Sequence, residues 1–234
     1  MSTKIAIIGA GGMAQYHIDG FRQAGAEIIA LADLNEAAAQ ATASQHGIPQ
    51  TFGSIETMFA ELPEIDGVSN IVPNKFHAPL TIQALNAGKH VFCEKPMALT
   101  VEDYTRMIDA AAAADVCLLV GHSHSFDAPI AEARRLIATG TYGSPRLING
   151  MNYTDFIYRP RRPEELDTAQ GGGVVFSQAA HQIDIARLLG GGLVDTVYAT
   201  TGSYDPARPT EGVYSAILKF ADGAVANLIY SGYA

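Results

Sequence analysis

The chain has 234 residues, 24 of them acidic against 15 basic, for a formal charge of −9; this disfavours nucleic acid or an anionic membrane surface as partner and leaves any anion site to local geometry. No apolar run reaches the ~18 residues of a membrane span, and the N-terminus enters its first apolar run at Lys4 with no hydrophobic leader, so a cytoplasmic protein is expected. The two cysteines, Cys93 and Cys117, fall in apolar runs read as neighbouring strands, and buried free thiols in a reducing compartment are expected rather than a disulfide or a metal pair.

In chain order, Lys4–Gly9 reads as a short apolar strand feeding Gly9-Ala10-Gly11-Gly12-Met13-Ala14, which matches G-x-G-x-x-A. A helix over Met13–Ala24 and a second strand, Glu27–Ala32, follow, so the motif stands in the strand–turn–helix setting that gives it meaning. Gly9 would permit the tight turn, Gly11 a close backbone approach to a pyrophosphate, and Ala14 close packing of helix on strand, with phosphates at the helix N-terminus beside Gly12 and Met13. Asp33 ends the second strand, roughly 20 residues beyond the loop, where a carboxylate binds the adenosine ribose and repels a 2′-phosphate; with Leu34 and Asn35 after it, the pattern predicts NAD rather than NADP. An ordinary helix N-cap is the alternative role for Asp33.

The alternation continues: a helix over Glu36–His46, a strand near Thr51, a helix over Ile55–Ala60, a strand over Gly67–Val72, a helix over Pro79–Ala87, a strand over His90–Cys93, a helix over Val101–Ala114 and a last strand over Val116–Val120. This predicts a doubly wound Rossmann domain over 1–121. The strand ending at Cys93 runs into Glu94-Lys95-Pro96, and open parallel sheets bind ligands outside such carboxyl ends. Pro96 keeps Lys95 out of the next helix, so its ammonium can be aimed.

Beyond Gly121 the rhythm changes. His122-Ser-His124-Ser leads into a helix over Ala128–Ala138, then a strand over Pro145–Phe156, an Arg/Pro-rich loop over Tyr158–Asp167, Gly171-Gly172-Gly173, a helix over Val175–Leu189 and three strands near 193–203, 212–220 and 224–232. Asp222-Gly223 between the last two is a type I′ hairpin signal. An α+β domain over 122–234 with a predominantly antiparallel sheet is expected. On the 175–189 helix, Ser177, His181 and Asp184 share an arc of ~60° at helical spacing, with Phe176, Ala179, Ala180 and Ile183 opposite. A zinc site from His122, His124, His181 and Asp184 is not expected, because alternating strand residues point two ways.

The segments Asn70-Ile-Val-Pro73-Asn74-Lys-Phe-His77 and Ala84–Pro96 closely resemble the Gfo/Idh/MocA family of nicotinamide-dependent oxidoreductases. The resemblance implies that Lys95 lies beside the reacting carbon and that the Lys95–Pro96 bond is cis. It also implies that Pro73, Asn74, His77 and Glu94 belong with the cofactor residues, a surface histidine at a helix start being the equal alternative for His77, and that the helix after the triple glycine faces the nicotinamide with His181 as acid/base. Ser177 stands where the family usually carries an aspartate, and Ala179 where it carries glycine. Asp184 would orient His181 or cap local structure. The resemblance also implies a second domain shortened after Tyr230–Ala234; a homo-oligomer through the C-terminal sheet is expected because the strands around Thr196–Ala199, Ala216–Lys219 and Asn227–Tyr230 would otherwise leave a broad face in water.

The expected reaction is hydride transfer between a C–OH carbon and nicotinamide, with Lys95, its pKa lowered by partial desolvation, as general base and His181 sharing the proton. Arg159, Arg161 and Arg162 crowd the loop before the glycines, and planar guanidinium groups suit a carboxylate; their alternative is pairing with Glu164, Glu165 and Asp167. With Gly171–Asp184, this segment resembles the 4,5-dihydroxyphthalate dehydrogenase branch, which implies a carboxylated cis-dihydrodiol as substrate. The competing readings are a dinucleotide-binding sensor without turnover and a polyol or sugar dehydrogenase.

Overall fold

The computed structural model describes residues 2–190 and 192–234, and the chain divides into two compact units that meet in sequence between Gly121 and His122. In the first unit β1 (Lys4–Ile8), α1 (Ala14–Gln23), β2 (Glu27–Ala32), α2 (Glu36–His46), β3 (Gln50–Phe52), α3 (Ile55–Glu61), β4 (Gly67–Asn70), α4 (His77–Asn86), β5 (His90–Cys93), α5 (Val101–Ala114) and β6 (Leu118–Val120) alternate. The six strands lie in the order β3-β2-β1-β4-β5-β6, all parallel, which is the Rossmann order. The central strands are apolar without alternation because helices cover both faces of the sheet, so Ile5 to Ile8 and Ile28 to Ala32 are all buried.

Helix ends follow local chemistry. Asn35, Ser54 and Thr100 each accept an N-terminal amide of the helix that follows, and Gly47 closes α2 in the left-handed region. β4 stops at Asn70 and β6 starts at Leu118, each two residues short of the predicted span. That shift leaves Cys117 outside the strand, on the edge-strand side of the sheet, and exposed, whereas Cys93 is buried as expected; both are free thiols.

The second unit holds α6 (Ala128–Ala138), β7 (Leu147–Tyr153), α7 (Ala180–Gly190), β8 (Val194–Gly202), β9 (Val213–Phe220) and β10 (Val225–Ser231). The sheet order is β7-β10-β9-β8, with β7 parallel to β10 and the other pairs antiparallel. β10 alternates, with Ala226, Leu228 and Tyr230 buried, and joins Tyr214, Leu218 and Phe220 of β9 with Val174, Ala179 and Ala186 in one core.

Three local expectations differ. Among the described residues Asp115 is the one non-glycine with positive φ, so Asp222 cannot sit in a type I′ turn. Instead Gly223 N bonds Phe220 O at 3.0 Å, Phe220 N bonds Ala224 O at 2.9 Å, and Gly223 alone takes the positive φ, a three-residue loop with a bulge. The Arg/Pro loop contains a 3-10 turn, Pro163–Leu166, and a second, Thr168–Gln170, follows it. The predicted 175–189 helix opens with a π-helical stretch, Val175–Ala179, before α7. Ile183, expected on the core side, is exposed, and the buried row runs through Ala179 and Ala186 instead. Among the described residues no helix is long and apolar enough to cross a membrane.

Candidate active site

The crevice where the strand order reverses lies between the carboxyl ends of β1 and β4. Gly9 turns there with φ +111°, and a Cβ would sit 3.1 Å from Ile71 and 3.3 Å from its backbone, so glycine is required by both conformation and space. Gly11 and Gly12 are different: a Cβ on either meets no protein atom within 4 Å. Their open surface, the Ala14 amide held at 2.9 Å from Gly11 O, and the start of α1 together form a cradle that fits a pyrophosphate. Met13 caps α1 half-exposed, and Ala14 is buried against the sheet.

Asp33 braces this loop. Its Oδ2 accepts the Ala10 amide at 2.7 Å and its Oδ1 the Asn35 amide at 2.8 Å, while Asn35 caps α2; Asp33 is therefore not the N-cap. A carboxylate oxygen accepts more than one hydrogen bond, so these two leave capacity for ribose hydroxyls.

At the end of β4, Pro73 leads into a 3-10 turn over Asn74–Phe76, with Pro73 and Asn74 partly exposed. His77, expected among the cofactor residues, is buried at 1% exposure, with Nδ1 2.6 Å from Pro96 O and Nε2 2.8 Å from Val72 O. Burial lowers its pKa against the pull of those carbonyls, and the ring ties the β4 exit to the Lys95–Pro96 turn rather than presenting itself to a ligand. The Lys95–Pro96 peptide is cis.

Glu94 accepts the Lys95 amide through Oε2 at 3.0 Å and meets His17 Nε2 through Oε1 at 3.0 Å. Burial would raise its pKa, but the His17 hydrogen bond, His17's charge and the Lys95 amide and ammonium together hold it below the usual carboxylate range. Sequence reasoning missed His17 and its second partner, Ser69 Oγ, 2.8 Å from Nδ1. The visible signal was a histidine one turn past a glycine loop, and nothing in that pattern points to residues so distant in sequence.

In the second unit Gly172 and Gly173 are glycines for a protein reason. A Cβ at Gly172 would lie 2.6 Å from the Glu164 and Glu165 backbone; Gly173 has φ +79°, and its Cβ would overlap the Glu211 carboxylate. Glu211, also missed, accepts Val175 N at 3.1 Å and Thr210 Oγ1 at 3.2 Å, together with Thr168 Oγ1, while its carbonyl takes Val174 N. It thereby satisfies the first amides of the segment carrying His181. At the other end Gln182 Oε1 accepts Tyr214 OH at 2.7 Å.

His181 is buried, and its ring lies 4.4 Å from that of His124 and 6.4 Å from that of His122, whose buried Nδ1 has no hydrogen-bond partner. Asp184, expected to orient His181 or cap local structure, accepts a hydrogen bond from Ser125 Oγ. Ser177 accepts from Gln178 Nε2 at 3.0 Å. Among the described residues no three His, Cys, Asp or Glu side chains are placed to hold a metal ion.

The three arginines all have acidic neighbours. Arg159 pairs with Asp155 at 2.5 Å, Arg162 with Glu164 and Glu165 at 3.4 Å, and Arg161, stacked 3.8 Å over the Phe156 ring, with Glu165 at 3.4 Å. Burial would raise the pKa of Glu165, yet the Arg162 amide and both guanidinium groups hold it low. Arg159 and Arg162 remain largely exposed, and Arg161 is mostly covered.

Residues 3–122 match the model of an oxidoreductase family with an NAD-binding Rossmann fold, and residues 130–234 match the GFO/IDH/MocA C-terminal domain. The chain is 49% identical over 208 residues to the 1-carboxy-3-chloro-3,4-dihydroxycyclo hexa-1,5-diene dehydrogenase of Comamonas testosteroni, covering 89% of this chain and 52% of that protein. It is 30% identical to the 1,5-anhydro-D-fructose reductase of Ensifer adhaerens, over 96% of this chain and 68% of that one. A solved structure from Bordetella bronchiseptica RB50 superposes with a TM-score of 0.92 at 38% identity, covering all of this chain and 61% of the other. A WlbA dehydrogenase of Bordetella pertussis, solved with NADH and UDP-GlcNAcA, superposes at 0.87 with 27% identity, over all of this chain and 72% of that one. The chain thus spans about half the length of the Comamonas relative. It belongs to the GFO/IDH/MocA family of oxidoreductases.

Proposed function

We propose that this chain is the dinucleotide-binding and catalytic part of an NAD-dependent dehydrogenase acting on a carboxylated cis-dihydrodiol. The observation that carries the reading is the gathering of Gly9–Gly12, Asp33, Asn74 and Glu94–Lys95 at the carboxyl ends of β1, β2, β4 and β5, along one edge of a sheet in the Rossmann order. Gly11, Gly12 and the α1 amides would hold the pyrophosphate, and Asp33 the adenosine ribose; bound NAD supplies the hydride acceptor. Lys95 then takes the hydroxyl proton as the C–OH carbon gives up its hydride, and His181 is the residue of the second unit proposed to share that proton. The ketone so formed from a cyclohexadiene diol tautomerises to an aromatic ring, which asks less of the base and fits a serine at 177.

The substrate class is supported by the Comamonas relative, whose name specifies a carboxylated dihydroxycyclohexadiene. Exposed Arg159 and Arg162 are the residues proposed to meet the carboxylate, exchanging weak local ion pairs for it; Arg161, stacked and mostly covered, would hold the loop's shape. Free Cys93 and Cys117 support a reducing, cytoplasmic setting. The exposed Val197, Tyr198 and Ile217 on β8 and β9 support a homo-oligomer formed through that sheet. The test is NADH formation, followed by absorbance, with a carboxylated cis-dihydrodiol, its uncarboxylated analogue and a polyol panel. Turnover confined to the carboxylated diol, and reduced in Arg159→Ala and Arg162→Ala, is expected; turnover of polyols alone, or of nothing, overturns the reading.

A further inference from the structure

We propose that His17 is a positioning residue for Lys95, acting through the Glu94 carboxylate so that the helix behind the glycine loop sets the direction of the lysine. This rests on the role given to Lys95 above. His17 projects from α1 one turn beyond the glycine loop and is only 9% exposed. Its ring is engaged on three sides: Nδ1 at 2.8 Å from Ser69 Oγ on β4, Nε2 at 3.0 Å from Glu94 Oε1 at the exit of β5, and the Phe92 ring edge-on at 5.3 Å. Glu94 passes the connection on, its Oε2 accepting the Lys95 amide at 3.0 Å.

A surface carboxylate at a strand exit needs no such partner. Water would solvate Glu94 at no cost, whereas an imidazole–carboxylate pair at 8% and 16% side-chain exposure carries a desolvation penalty that apolar residues of equal size would not. What the pair adds is direction. Ser69 Oγ at Nδ1 and Glu94 Oε1 at Nε2 hold the ring from both sides, so one oxygen of Glu94 is fixed on His17 and the other accepts the Lys95 amide. Space enforces the same choice: a Cβ at Gly121 would come within 3.1 Å of both Glu94 Oε1 and the Phe92 ring, so glycine there lets the carboxylate lie where His17 can reach it. The chain Ser69–His17–Glu94–Lys95 therefore links β4, α1 and β5, and a displacement of α1 is felt at the lysine backbone.

The experiment compares His17→Phe, His17→Gln, Glu94→Gln and the double variant His17→Phe/Glu94→Gln in the full chain. Three quantities are read: the single-turnover rate of NADH formation with the carboxylated dihydrodiol, the NAD dissociation constant, and the 13C resonance of reductively methylated Lys95. Loss of the link should slow the hydride-transfer step by about 10²-fold, the scale of a small misplacement of a reacting group, with NAD affinity unchanged within about twofold, well below the tenfold that 1.4 kcal/mol represents. Gln, which keeps an N–H donor toward Glu94, should restore most of the rate and return the Lys95 resonance to its original position, which a merely space-filling role would not require. The double variant should be no slower than Glu94→Gln alone, because both act through one contact. Equal impairment by Phe and Gln, additive losses, or a Phe variant as fast as the parent overturns the inference. If the parent oxidises no dihydrodiol, the proposed function fails by itself, and the resonance decides the inference: shifted by Phe and restored by Gln in its favour, unmoved by Phe against it. Should the Phe variant not fold, Glu94→Gln and His17→Gln decide in the same way, a displaced resonance in the first and a native one in the second being required.

Discussion

Glycine clusters in the two units stand in the same kind of place, just before a helix that carries site residues, and do opposite things. In the first unit Gly11 and Gly12 face empty space, so the missing side chains leave room for something that is not protein. In the second, Gly172 and Gly173 face the Glu164–Glu165 backbone and the Glu211 carboxylate, so the missing side chains leave room for the protein itself. One cluster leaves its surface open, as the proposed pyrophosphate site needs, and the other lets a glutamate 36 residues away in sequence from Val175 reach under the helix and satisfy its first amides. Only what surrounds each cluster separates a binding glycine from a packing glycine.

Four experiments sharpen or break this contrast. The largest effect belongs to Lys95→Ala, for which turnover should fall about 10²- to 10⁴-fold, the range for a general base, with NAD affinity nearly intact; steady-state kinetics and NAD titration check both halves. Next, Gly173→Ala should destabilise the second unit by about 2–4 kcal/mol, from the left-handed φ and the overlap with Glu211 combined, read by denaturant unfolding. Gly12→Ala should leave stability within about 0.5 kcal/mol yet weaken NAD binding; the same stability loss at both glycines would erase the distinction. Third, NADP should bind about tenfold or more weaker than NAD if Asp33 meets the ribose as proposed, with no cation beside it in sequence; equal affinities by calorimetry would remove Asp33 from recognition.

The smallest effect is a pH dependence. The pKa of Glu94 is lowered in the folded chain, so its contribution to stability is fully present above the ordinary value of 4.5 and is lost as pH falls through its lowered folded value. The melting-temperature gap between the parent and Glu94→Gln should therefore be constant near neutrality and narrow only below pH 4.5. A gap that already closes between pH 5 and 7 would show that another group carries it.

Much of the first unit was legible because its signals are local. The bounds of β5 and α5 follow from Val91–Cys93 and from Thr100 capping ahead of Glu102 and Asp103, all within one or two turns of chain. The G-x-G-x-x-A loop and Asp33 were readable for the same reason, and the structure joins them directly through the Ala10 amide. His17 was not readable, since a histidine on the first helix has no sequence mark that separates a solvated side chain from one bonded to Ser69 and Glu94. In the second unit helical spacing predicted an α-helix from Val175 onward, and Val175–Ala179 is π-helical instead. The composition of Arg159–Asp167 left substrate binding and local pairing open, and the side chains were found paired.

Consecutive residues carried the alternation of strands and helices, the glycine turn after β1 and the strand exit at Glu94, because parallel strands buried on both faces and Gly-rich turns are local patterns. Tertiary structure alone decided which polar groups meet: His17 with Glu94, Glu211 with the amide of Val175, Ser125 with Asp184. A buried hydrogen bond between distant segments depends on distances of a few tenths of an ångström, which packing fixes and residue type does not.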